Sequence, residues 1–152
     1  MAISLSNLFD EKQVTLHLPG RDPAAALDKI VRLLAENGKI DDHRKFLEQL
    51  LAREQARPSA VEHGVAFPHL RMDLADKMVL AVGRSKPGIP FDGSEPANLI
   101  FVIGVPQRLA NDYLICVGTL TRLLRDESIR AALMQTKTPA QFVDILKDAC
   151  PP

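Results

Sequence analysis

Four side chains within one short stretch of this sequence could do chemistry together: Arg53, Glu54, Ser59 and His69. His69 closes the run Gly64-Val65-Ala66-Phe67-Pro68-His69-Leu70-Arg71, which sets an imidazole where an apolar strand stops. A neutral imidazole suits reversible acceptance of a phosphoryl group, because one ring nitrogen keeps its lone pair while the other is pinned by a hydrogen bond. A phosphoryl group in flight spreads negative charge over its oxygens, so its site should offer cations and hydrogen-bond donors. Arg53 and Ser59 supply these, with Arg71 as a second cation. The rival chemistry is hydrolysis, with His69 as general base and Ser59 as nucleophile; it lacks a Gly-x-Ser-x-Gly elbow and an obvious orienting acid. The plainer readings are an exposed Arg53–Glu54 pair ending a helix, worth under about 1 kcal/mol, and an ordinary turn hydroxyl at Ser59 after Pro58.

The elements that must hold these residues follow from periodicity. Val14, Leu16 and Leu18 alternate as a strand that stops at Pro19-Gly20. Asp22-Pro23 reads as an N-cap with proline at the first helical position, and the helix runs to Asn37-Gly38. A second helix begins near Asp41-Asp42, carries Phe46, Leu47, Leu50 and Leu51 on its apolar face, and should end before Pro58. From Val61 the period changes to two, with Val61, His63, Val65 and Phe67 on one parity. A further strand covers Met78 to Gly83, and Ser85 to Pro96 reads as a loop rich in glycine and proline. Leu99 to Val105 is apolar and β-branched and should lie in the middle of the sheet. Three helices follow: one bearing Leu114, Val117, Leu120, Leu123 and Leu124, one over Glu127 to Met134, and a last one capped at Thr138-Pro139 with Phe142, Val143, Ile145 and Leu146. The expected fold is a single-domain α/β sandwich spanning 1–152, with a mixed, mostly buried sheet flanked by helices.

Composition narrows the function classes. At 152 residues, 46% hydrophobic and 25% charged, the chain has the make-up of one globular domain. Its longest apolar runs fall far short of the roughly 18 residues a spanning helix needs, so no membrane insertion is expected. Nothing at the start resembles a secretion signal, and the expected compartment is the cytoplasm. Nineteen basic residues balance nineteen acidic ones, which leaves no net field to draw nucleic acid. Cys116 reads as a buried hydrophobe and Cys150, against Pro151-Pro152, as more exposed. Neither forms a zinc-like grouping with the histidines, His17 and His43 read as structural, and no metal or cofactor is expected.

The stretch from Arg53 to His69 resembles the signature of the EIIA domains of the bacterial phosphotransferase system, in its fructose, mannitol and nitrogen-related branches. That pattern runs Arg-Glu, four residues, a threonine, then a glycine-rich strand ending Gly-Ile-Ala-Ile-Pro-His. Here Arg53, Glu54, Gly64, Ala66, Pro68 and His69 match without a gap, Ser59 replaces the threonine, and Val65 and Phe67 replace the isoleucines. The loop Gly88-Ile89-Pro90-Phe91-Asp92 and the apolar strand ending at Pro106 extend the likeness to nearly the whole chain. The resemblance implies a phosphohistidine carrier: His69 would accept the group from the small protein HPr, or its nitrogen-branch relative, and pass it to an EIIB domain or hold it as a signal for a regulatory target. A chain with no attached EIIB or membrane domain fits the regulatory use better than sugar transport. Two departures bear on this. The family's second histidine, in a His-Leu step, is replaced by Tyr113-Leu114, and a phenol offers no charge change near neutral pH. Glu62-His63 stands where the family has glycine and a small polar residue. His63, sharing strand parity with His69, would approach it through the bend at Pro68 and stand in for the missing partner; alternatively Glu62 would repel phosphate and leave a binding module that is never phosphorylated.

Overall fold

The computed structural model of the protein describes residues 5–71, 77–93 and 95–150; Ser94 and Pro151-Pro152 lie outside them. Short 3₁₀ turns at Leu5–Leu8 and Glu11–Gln13 lead into strand β1 (Val14–Thr15), followed by helices α1 (Pro23–Glu36) and α2 (His43–Ala56). Strands β2 (Val65–Ala66), β3 (His69–Arg71), β4 (Val79–Ile89) and β5 (Ala97–Val105) come next. The chain ends in α3 (Ala110–Leu123), α4 (Glu127–Gln135) and α5 (Pro139–Ala149), after a 3₁₀ turn at Gln107–Leu109. The helix starts obey their capping signals: Asp22 accepts from the Ala24 amide, Asp42 from Lys45, Asp126 from Ser128 and Thr138 from Gln141.

The sheet is mixed, as the sequence predicts. β1 runs parallel to β4, β4 antiparallel to β5, and β2 and β3 both parallel to β5 on its other side. β4 and β5 are therefore the interior strands, and the side chains of β5 alternate between two cores. Leu99, Phe101, Ile103 and Val105 face α3, α4 and α5, while Ala97, Ile100 and Val102 face α1 and α2. The outcome is a helix, sheet, helix sandwich.

Three details depart from expectation. Only Val14 and Thr15 of the first strand join the ladder, although Leu16 and Leu18 still point inward and the Leu18 amide bonds to the Arg84 carbonyl at 2.9 Å. β4 continues through the expected loop to Ile89, with a register shift between Arg84 and Ile89 that absorbs the glycine and proline. The Asn98 amide secures this irregular stretch by donating to the Ser85 carbonyl at 2.9 Å. Finally, the first part of the expected strand from Val61 is a tight turn, Glu62 to Val65, closed by Glu62 N to Val65 O at 3.1 Å and Val65 N to Glu62 O at 2.9 Å, and only Val65 and Ala66 join the ladder. His63 and Gly64 both have positive φ, 55° and 75°, as such hairpin-type turns require. A Cβ on Gly64 would stand 2.7 Å from Asn98 Oδ1, so glycine is needed there for space as well as for φ.

Candidate functional site

His69 begins β3, and β3 is an edge of the sheet. An edge strand can be reached from both faces, and the site uses both helix layers. Pro68 separates β2 from β3; having no N–H to offer a ladder, it interrupts pairing there while its carbonyl still accepts from Ile103 N at 3.0 Å. On one face, Phe46 and Leu50 bury the inner side of α2, and Arg53 lies three residues beyond Leu50, which carries it to the same side one turn later. Its Nε donates to the His69 carbonyl at 2.8 Å and Nη2 approaches His69 Nε2 at 2.6 Å. From the opposite face α3 delivers Tyr113, whose ring lies 4.6 Å from the imidazole, centre to centre, at 34°.

The tautomer follows from these partners. Guanidinium nitrogens only donate, so Nε2 is the acceptor and carries the lone pair. Nδ1 then bears the proton and donates it to the Phe67 carbonyl at 3.3 Å. Burial disfavours the charged ring and lowers its pKa from 6.5, Arg53 and Arg71 lower it further, and the Phe67 bond opposes them. The ring is thus neutral at neutral pH and half-buried, with its proton-free nitrogen under a cation. Burial pushes the Tyr113 phenol up, and the same two arginines pull it down, so it remains a neutral hydroxyl.

Glu54 and Ser59 have a different relation from the one the spacing suggests. The Glu54 carboxylate accepts the Ser59 amide at 2.8 Å through one oxygen and a short bond from the Ser59 hydroxyl through the other. Glu54 therefore clamps the loop after α2, and the serine proton is committed to it. Among the described residues no hydrogen bond joins Ser59 to His69, so the serine–base pair that hydrolysis needs is not formed. The signal for this clamp was present in the sequence as a carboxylate five residues ahead of the serine at the end of a helix.

His63 stands elsewhere. The left-handed turn removes it from any strand, so the parity argument that would bring it to His69 fails. It is exposed and lines a cleft with Glu62, Val65, Phe67, Thr121, Leu124 and Arg125. Neither it nor Glu62 is among the groups that perturb the His69 ring. His17 is exposed, and His43 pairs with Asp28 across α1 and α2 at 2.8 Å. Cys116 is buried with its thiol pushed up to about 12, and Cys150 is half-buried against the same core rather than exposed. Among the described residues no group of three or more histidine, cysteine or carboxylate side chains could hold a metal ion, and no helix is long and apolar enough to cross a membrane.

Sequence reasoning missed Arg84. It is only 3% exposed, yet its guanidinium donates to the carbonyls of Leu133 and Thr136 at 2.9 Å and of Leu16 at 3.3 Å. It ties β4 to the end of α4 and so braces the layer that carries Tyr113.

Fold and site together define an α/β domain that presents one neutral imidazole, under a guanidinium, at the edge of a mixed sheet. The family model described as "Phosphoenolpyruvate-dependent sugar phosphotransferase system, EIIA 2" matches residues 7–149. The chain belongs to this family. It is 30% identical over 146 residues, 95% of each chain, to the fructose-specific EIIA component of the phosphotransferase system of Haloferax volcanii. It is 26% identical over 146 residues to the fructose-specific EIIABC component of Bacillus subtilis, matching 95% of this chain but spanning only 23% of that relative's length. Among solved structures, the nitrogen regulatory protein IIA-Ntr of Neisseria meningitidis superposes with a TM-score of 0.83 at 24% identity, covering 93% of this chain and 98% of that one. The sandwich expected from the sequence is thus the fold of the family.

Proposed function

We propose that His69 is the phosphoryl acceptor of this EIIA domain and that the donor is the phosphohistidine of an HPr-like carrier protein. In the transfer, the lone pair of Nε2 forms a new phosphorus–nitrogen bond while the donor's phosphorus–nitrogen bond breaks and its electron pair returns to the donor ring. The Nδ1 proton stays on its bond to the Phe67 carbonyl, so no proton has to move for phosphorus to move. Arg53, with Nη2 at 2.6 Å from Nε2, shifts its hydrogen bond from the nitrogen to the phosphoryl oxygens as the bond forms. Arg71 adds a second positive charge felt by both rings.

The observation that carries this reading is the pairing of a proton-free Nε2 with a guanidinium at one strand end. Incubation with a phosphorylated HPr-type carrier should add the mass of one phosphoryl group, labile in acid and stable in base, and His69→Ala should abolish it. A gain that survives in His69→Ala, or none in the wild type, refutes the assignment. Onward transfer to an EIIB domain is supported by the Bacillus subtilis relative, whose name joins A, B and C components. A regulatory use of the phosphorylated state is supported by the likeness to a nitrogen regulatory protein.

A further inference from the structure

Tyr113 is only 8% exposed, yet its hydroxyl makes no hydrogen bond among the described residues. The hydroxyl of a buried tyrosine usually finds a partner. This oxygen is reached by solvent rather than enclosed, so it is left to water or to whatever arrives at His69. The ring itself is held against the imidazole, 4.6 Å between centres and tilted by 34°. Burial pushes the phenol up, and of the cations Arg53 pulls it down most, with Arg71 also acting. The same Arg53 guanidinium lies 2.6 Å from Nε2. A partner-free hydroxyl and two cations therefore share the neighbourhood of the proton-free nitrogen. The nearby acceptors are already engaged, since the Phe67 carbonyl takes the Nδ1 proton and the Glu54 carboxylate takes those of Ser59. An anionic oxygen on Nε2 would give the phenol its partner.

We propose that Tyr113 retains the phosphoryl group on His69: its hydroxyl donates to a phosphoryl oxygen, and its ring covers one face of the imidazole without offering a base to water. This rests on the carrier reading and concerns how long the carried group stays. A hydrogen bond to a charged oxygen favours the bonded state by about tenfold or more. Loss to water needs three events. An oxygen–phosphorus bond forms, the phosphorus–Nε2 bond breaks with its electron pair returning to the ring, and one proton leaves the attacking water. A positioned base that takes this proton speeds such a step by about 100-fold or more. A neutral phenol is far too weak a base to do so, and guanidinium groups only donate. Arg53, Arg71 and Tyr113 therefore bind the group without activating water, whereas an acceptor protein brings its own nucleophile. An imidazole in place of this phenol would supply the base.

Two variants separate the hydroxyl from the missing base: Tyr113→Phe keeps the ring and loses the donor, and Tyr113→His exchanges the phenol for a base. Each is equilibrated with a phosphorylated HPr-type carrier, and intact mass gives the share of phosphoryl on each protein. The carrier is then removed and the decay of the added mass is followed in time. In Tyr113→Phe the equilibrium should shift toward the carrier by about tenfold. In Tyr113→His the phosphorylated protein should lose its group about tenfold faster or more. An equilibrium within about twofold of wild type in Tyr113→Phe, or a lifetime in Tyr113→His as long as that of wild type, overturns the retention and leaves His69 a carrier. So does a loss of stability in urea in both variants with equilibrium and lifetime unmoved, which would make the ring a packing element only. A wild type that gains no phosphoryl group overturns the carrier reading itself, and retention with it.

Discussion

Replacing Arg53 with glutamine removes the cation nearest His69 Nε2 while keeping an amide donor on a shorter side chain. Nη2 lies 2.6 Å from Nε2, so the oxygens of a phosphoryl group bonded there would fall in contact with the guanidinium. Unit charges about 4 Å apart interact by about 4 kcal/mol at an effective dielectric of about 20. Arg53 and His69 are both half-buried, and solvent screening reduces this to about 3 kcal/mol. A loss of that size slows transfer by about 100-fold, within the range seen when one preorganised donor is removed from a site where negative charge develops. Single-turnover transfer from a phosphorylated HPr-type carrier, followed by intact mass, measures the rate. A parallel NMR titration should show the His69 midpoint rising, because a neighbouring positive charge that disfavours protonation has gone. Transfer within about threefold of wild type, together with an unmoved midpoint, would refute the electrostatic role given to Arg53.

Two further outcomes follow from the same geometry. His69 has its folded pKa held below 6.5 by burial and by Arg53, so the unfolded chain takes up the proton first as pH falls; the stability linked to this group is complete above the ordinary value and is lost as pH drops through the folded one. Urea unfolding between neutral and mildly acidic pH should therefore show a slope that His69→Gln lacks, and equal slopes in the two proteins would contradict it. Arg84→Leu leaves the buried carbonyls of Leu16 and Thr136 without the guanidinium, while that of Leu133 keeps the Thr136 hydroxyl at 3.0 Å; at about 1 kcal/mol or more for each orphaned group, the loss should reach about 2 kcal/mol in denaturant titrations, and a change under about 0.5 kcal/mol would show that water satisfies them.

Much of this architecture was legible because each signal was local. The apolar run to Val105 could only be an interior strand, and aspartates or a threonine ahead of helical periodicity marked true caps. Arg53 and His69 were legible for the same reason: they lie on adjoining elements of one continuous stretch, and the fold needs only to turn α2 back along β3. What was illegible depends on partners far away in sequence. Arg84 resembles a strand terminus, since nothing near it announces the carbonyls of Leu16, Leu133 and Thr136 that accept its protons. The alternation at Val61, His63 and Val65 mimicked a strand, but the glycine that broke it was the stronger signal. Paired positive φ values at His63 and Gly64 reverse the chain and send the histidine toward α3 and α4.

The edge position of β3 separates two properties that most reactive centres combine. Charge at the imidazole comes from α2 through Arg53, whereas the stacked ring and the adjoining outer face belong to α3. Substitutions along α3 can therefore change the ring that covers one face of the imidazole while the guanidinium from α2 stays in place.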